Sequence, residues 1–168
     1  MSGQRDHSHY AVCANPGPLG RAGGSGLRWD ARPGVNPPLI VAGCLALLGA
    51  AIHGVGGETL VLRRLSPELL PPTGLGGPRT TRLVLHITWH LTTVAFVSVA
   101  VALLLSGSML HGDTARGVAL FAACMATGFA AVMIGMTMAS TRSPRSLVRH
   151  PAPALFTAIA ALAWWGVL

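Results

Sequence analysis

The chain has 168 residues, of which 51% are hydrophobic and only 10% are charged. A typical globular domain carries about 25% charged residues, so this composition argues against a water-soluble domain and excludes a chain that is disordered throughout. The net charge is +7, and all twelve basic residues are arginines. These arginines lie in small groups between apolar segments and form no basic helix face, which favours contacts with anionic lipid over a nucleic-acid partner.

The N-terminal segment differs in composition from the rest of the chain. Residues 1–38 have no apolar periodicity and are rich in Gly, Pro, Arg and Ser. Such a segment buries too little apolar surface to offset the entropy lost on ordering. We therefore predict a disordered N-terminal tail over residues 1–38 and a folded domain over residues 39–168.

Four apolar segments follow the tail. A helix needs about 20 apolar residues to cross a hydrocarbon layer of about 30 Å, and the segments reach or approach this length. None of them shows the alternating pattern of a barrel strand. The predicted fold class is therefore all-α, a bundle of four transmembrane helices, with spans at about 39–57, 83–105, 117–139 and 151–168.

The arginines also predict the orientation of these spans. Seven arginines lie in the first and third loops, and five lie on the opposite side, four of them in the tail. The positive-inside rule places arginine-rich loops in the cytoplasm. We expect a multi-pass protein of the cell (inner) membrane with loops one and three cytoplasmic and both termini outside.

The third span carries small residues at every fourth position, a pattern typical of close helix packing in lipid. These residues are Ala119, Ala123, Thr127, Ala131, Gly135 and Ala139. This small-residue ridge is the predicted docking face for a second copy of the chain or for a larger membrane complex.

Ionisable side chains in or beside the predicted spans are the main functional signal. The candidates are His53, Glu58, His86, His90 and His150. Helix connectivity places all five at one side of the membrane, and the spacing of four residues places His86 and His90 on one helix face. At 1.5 Å per residue, His53 and His86 lie about 6 Å inside the boundary and His90 about 10 Å. Because ionisable groups are unfavourable against lipid, we expect these side chains to face the bundle interior.

The residue types leave three interpretations open. The cluster could ligate a first-row transition metal, since imidazole and carboxylate suit Zn, Fe and Cu, or His53 with His86 or His90 could ligate a haem. It could line a path for protons or solutes. The histidines could instead hydrogen-bond to Thr88, Thr92, Ser98 or backbone carbonyls and stabilise the bundle.

Short motifs around these residues resemble those of small four-helix bacterial integral membrane proteins. The shared features are a first helix with a histidine that ends in Gly-Glu, a Trp-His pair early in the second helix, and Arg-His-Pro before a fourth helix ending in tryptophans. The resemblance covers about residues 39–168 and implies the four-helix architecture without an activity. The expected function is that of an integral membrane protein with an intramembrane His/Glu cluster. The alternatives are a metal- or haem-dependent redox enzyme and a small subunit of a transport or respiratory complex.

Overall fold

The computed structural model describes residues 34–74, 76–141 and 151–168. Within these ranges the chain forms four helices of at least 15 residues and no β-strand. They are α1 (Pro37–Ala51), α2 (Pro78–Ser108), α3 (Gly112–Thr141) and α4 (Pro151–Val167). The prediction of an all-α chain is confirmed for these residues, whereas the predicted disordered tail lies mostly outside the described ranges.

Helix α1 continues beyond Ala51 in a less regular form. It is extended by a π-helical turn (Ile52–Gly56), a short α-helical segment (Gly57–Leu60) and a 3-10 turn (Leu62–Arg64). The helical path ends where Leu65 and Ser66 adopt extended backbone in front of Pro67. Proline disfavours a helical conformation of the preceding residue, so the sequence itself explains this end.

Three helical stretches are long and apolar enough to cross a membrane: Pro37–Arg64, Pro78–Ser108 and Gly112–Ser140. Helix α4 is equally apolar in character but has only 17 residues. At 1.5 Å per residue it covers about 26 Å, slightly less than the thickness of a typical hydrocarbon layer.

Hydrogen bonds of Asn36 show how the helix ends are arranged. Its backbone N–H donates to the carbonyl oxygen of Gly107, and its side-chain Nδ2 donates to that of Gly166, each at 2.8 Å. The start of α1 therefore lies beside the ends of α2 and α4, and this end of the four helices is called the Asn36 end. The opposite end, where α1 finishes and α2 begins, is called the Glu58 end. Helix α1 packs against α2 and α4, and α3 packs against the same two helices, so neighbouring helices run antiparallel.

Small residues fill most of the space between the helices, and large apolar side chains point outward. Alanines such as Ala42, Ala100 and Ala163 are fully buried, whereas the side chains of Ile52 and Leu91 are 61% and 64% exposed. In the interior, the ring of Phe96 packs against the rings of Phe129 and Phe156, with ring centroids 4.8 Å apart in both pairs.

Only the first part of the predicted small-residue ridge is buried. Ala119 and Ala123 lie in the core, and the remaining four positions are exposed: Thr127, Ala131, Gly135 and Ala139. A helix turns by about 100° per residue, so each step of four residues rotates the row by about 40° and carries it away from the interface. The buried face instead continues through Ala126 and Ala130. A docking role for the exposed part stays a prediction.

Candidate metal centre

Three of the five predicted site residues come together at the Glu58 end. The Nε2 atoms of His86 and His90 lie 3.3 Å and 3.5 Å from Oε2 of Glu58. One ligand atom from each of the three residues falls within 4.8 Å of the others. The spacing of four residues on α2 places the two imidazoles on one face, with ring centroids 4.8 Å apart.

The π-helical turn directs Glu58 toward α2. In a regular α-helix His53 and Glu58, five residues apart, would point about 140° away from each other. In a π-helical turn the backbone hydrogen bonds join residues five apart, so two residues with this separation lie on the same side of the helix. Both side chains accordingly face α2, His53 toward Trp89 and Glu58 toward His86 and His90. Single π-helical turns of this kind are frequent at functional sites.

The two oxygens of the Glu58 carboxylate have different surroundings. Oε1 accepts a hydrogen bond of 3.4 Å from Nε of Arg63. Oε2 is buried and accepts no hydrogen bond from the described residues, although Nε2 of each imidazole lies within 3.5 Å of it. Leaving a buried charged acceptor unsatisfied is unfavourable by at least about 1–3 kcal/mol. A cation shared by this oxygen and the two imidazoles would remove that cost.

Two of the distances between ligand atoms in this group match the edges of a coordination tetrahedron around a metal ion. Zinc bonds nitrogen and oxygen ligands at about 2.0–2.1 Å, so neighbouring ligand atoms of a tetrahedron lie about 3.3–3.4 Å apart. The two distances from Glu58 Oε2 are 3.3 Å and 3.5 Å. The third distance, between the ligand atoms of His86 and His90, is no more than 4.8 Å. The side chains of the two histidines are 40% and 48% exposed, so an ion can reach the group.

His53 belongs to a different environment. Its ring packs against the rings of Trp89 and Phe96, at centroid distances of 4.3 Å and 5.1 Å. Nε1 of Trp89 donates a 2.9 Å hydrogen bond to the backbone carbonyl of His53. The imidazole Nε2 is buried and has no hydrogen-bond partner among the described residues. The structure thus places His53 in the helix packing rather than in the ligand group, and His150 lies outside the described residues.

The hydroxyl groups near the histidines on α2 are occupied elsewhere. Thr88, Thr92 and Ser98 each donate a hydrogen bond to a carbonyl four residues earlier in the same helix. Among the described residues no hydrogen bond joins these hydroxyl groups to a histidine, and bundle stabilisation by the histidines stays a prediction.

The haem interpretation pairs His53 with His86 or His90. The His53 ring instead packs against Trp89 and Phe96, and haem ligation stays a prediction.

Sequence reasoning did not find Arg63, which holds one carboxylate oxygen of Glu58. Its signal was weak, because a separation of five residues is not a usual side-chain pairing in an α-helix. The regular helix ends at Leu60, and the 3-10 turn Leu62–Arg64 that follows carries Arg63. A cleft of about 600 Å³ adjoins the group and is lined by Glu58, Arg63 and His90 together with apolar residues of α1 and α2. This cleft gives the ligand group an open side.

No protein-family model, curated protein or solved structure matches the chain. The chemistry of the site is therefore interpreted from three observations: the donor set, the distances between its atoms, and its open side. Two imidazoles and one carboxylate are a set that binds zinc with a further coordination position free.

Proposed function

We propose that the chain is a multi-pass membrane protein that crosses the bilayer with four helices and binds a divalent transition metal between Glu58, His86 and His90. The observation that carries the metal site is the buried Oε2 of Glu58, which has no hydrogen-bond partner in the described part of the chain and lies within 3.5 Å of two imidazole nitrogens. Arg63 supports the assignment because it fixes the other carboxylate oxygen and leaves Oε2 facing the imidazoles. Such outer contacts orient metal ligands in known sites.

Membrane insertion is supported by the distribution of side-chain sizes. In water, a surface with Ile52, Val55 and Leu91 more than half exposed would promote association. In lipid, small residues between helices and large apolar residues on the outside are the favourable arrangement. Helix α4, with 17 residues, is at the lower limit of the length that spans a bilayer.

Zinc is the metal that we expect, since it favours imidazole and carboxylate ligands in tetrahedral geometry. The three protein ligands leave a fourth position for water or a substrate. A metal in such a position acts as a Lewis acid and lowers the pKa of bound water. In this chain Glu58, His86 and His90 would hold the ion, and Arg63 would orient the carboxylate.

Metal analysis of the detergent-purified protein tests the proposed centre. After equilibration with zinc and removal of free metal, we expect one zinc ion per chain. Cobalt in its place should give the visible absorption bands of a tetrahedral site. Replacing both His86 and His90 with alanine should abolish this binding, because only the carboxylate of Glu58 would remain.

A histidine at the other end provides the control for that experiment. His111 is exposed and precedes α3 at the Asn36 end. The variant His111→Ala should keep the full stoichiometry. Substoichiometric metal in the unaltered protein, or an equal loss in His111→Ala, would contradict the proposed centre.

We further propose that the Glu58 end faces the cytoplasm of a cell (inner) membrane, on the basis of the arginine distribution. In a variant whose native cysteines are replaced by alanine, a cysteine in place of the exposed Thr73 should resist a membrane-impermeant thiol reagent in intact cells. A cysteine added after Leu168 should react. Labelling in the reverse pattern would overturn this orientation and would move the metal centre to the outer face.

A further inference from the structure

A second cleft adjoins the candidate metal centre near the start of α2. Its volume is about 350 Å³, and it is lined by Pro67, Arg79, Arg82, Leu83 and His86. His86 is also one of the three proposed metal ligands. The cleft therefore connects the metal centre with two guanidinium groups.

The arginines and histidines of this region share one face of α2. Arg79, Arg82, His86 and His90 are separated by three, four and four residues, a spacing that places side chains on one side of a helix. At 1.5 Å per residue the row extends over about 17 Å. It leads from the beginning of the helix, where the predicted span meets the membrane surface, to the metal centre.

The two arginines of the row are free to bind a ligand. Among the described residues the arginine with an ion pair is Arg63, which binds Glu58, and neither Arg79 nor Arg82 forms such a pair. Glu68 is exposed and adjacent to Pro67, but it does not line the cleft. Two unpaired guanidinium groups thus converge on one cleft without a neutralising carboxylate in its lining.

We propose that Arg79 and Arg82 bind a phosphate group in this cleft, beside the metal centre. A guanidinium presents a planar fork of N–H donors that matches phosphate oxygens. Two guanidinium groups would donate hydrogen bonds to several oxygens of one phosphate. A remaining phosphate oxygen would then be available to a metal held by His86. The phosphate comes from a lipid headgroup or from a soluble molecule. A lipid headgroup can reach the cleft because the start of α2 lies at the depth of lipid phosphates in the proposed orientation.

This inference deepens the proposed function because it names the class of ligand that would meet the metal. The arginine pair itself does not require the metal, so the two ideas can fail separately. Loss of zinc binding with retained phosphate binding would contradict only the metal centre. Retained zinc binding without phosphate binding would contradict only the phosphate site.

The matched control is another arginine at the same end of the helices. Arg64 lies in the turn Leu62–Arg64, is exposed, and lines neither of the two clefts. The change Arg64→Gln removes the same charge as Arg79→Gln or Arg82→Gln. A difference between these variants therefore measures the site rather than the overall charge.

The test uses the full chain in zwitterionic detergent, saturated with zinc and freed of excess metal, and again without zinc. Calorimetric titration with inorganic phosphate at constant ionic strength measures a soluble ligand, and native mass spectrometry with phosphatidic acid against phosphatidylcholine measures a lipid. We expect Arg79→Gln and Arg82→Gln each to weaken binding about tenfold to a hundredfold, since each loses charged hydrogen bonds. Arg64→Gln should change it less than about twofold.

The results also identify the source of the phosphate. Binding of phosphatidic acid alone supports a lipid headgroup, binding of inorganic phosphate alone supports a soluble ligand, and binding of both supports recognition of the shared group. Binding of neither probe overturns the proposal. An equal loss in Arg64→Gln also overturns it, because the attraction would then depend on net charge alone.

Discussion

Replacing Glu58 with alanine is expected to weaken zinc binding by about a hundredfold or more. Zinc bound by four protein ligands contributes about 10–16 kcal/mol, so one ligand accounts for roughly 3 kcal/mol, which is about a hundredfold in affinity. The carboxylate of Glu58 is the ligand shared by both short distances in the group. Competition against a chromophoric chelator, with the protein in detergent, measures the change.

Glu68 supplies the control for this substitution. It lies in the 3-10 turn Pro67–Leu69, ten residues after Glu58, is exposed, and belongs to no group of possible metal ligands within the described residues. Glu68→Ala should bind zinc as the unaltered protein does. If Glu58→Ala and Glu68→Ala behave alike, the zinc does not bind at Glu58, and the proposed centre is wrong.

Replacing Gly57 with alanine is expected to destabilise the folded protein by about 1–3 kcal/mol, the usual cost of an overpacked core. Gly57 is buried, and a Cβ atom built there would collide with the indole ring of Trp89. Relief would require the indole to move, which breaks its hydrogen bond to the His53 carbonyl and its contact with the His53 ring. Thermal unfolding in detergent should therefore begin at a lower temperature.

The neighbouring glycine tests whether this effect comes from the collision. A Cβ atom on Gly56 would have its nearest neighbour, Cγ2 of Ile52, at 3.9 Å, which is ordinary van der Waals contact. Alanine is favoured over glycine in a helix by about 0.8–1 kcal/mol, so Gly56→Ala should leave stability unchanged or raise it. Equal destabilisation by both substitutions would mean that the flexibility of the turn matters, and not the space beside Trp89.

Hydropathy and connectivity were sufficient to predict the helices and to place Glu58, His86 and His90 at one end of them. Apolar length predicts where helices form. A loop joins the end of α1 to the start of α2, so these residues had to lie at one end of the four helices. The spacing of His86 and His90 then determined their common face. None of these steps depends on the details of side-chain packing.

The position of His53 could not be predicted in the same way. Its depth and residue type are the same as those of His86, and only the packing separates them. The indole of Trp89 reaches the His53 ring because Gly57 has no side chain, and the π-helical turn changes the direction of every residue after Gly56. Periodicity analysis assumes a regular helix and therefore misses this change, as it also misses the pairing of Arg63 with Glu58.

The hydrogen bonds of Asn36 hold one end of α2 in place, and its other end is free to tilt around that point. They hold Gly107 and Gly166 beside the start of α1, whereas His86 lies 21 residues from Gly107, or about 32 Å along α2. A tilt of about 2° around that fixed point moves His86 by about 1 Å, and metal–ligand distances tolerate only about 0.2 Å. An ion held by α2 and the extension of α1 would therefore restrain the angle between these helices at the end where the Asn36 hydrogen bonds do not act.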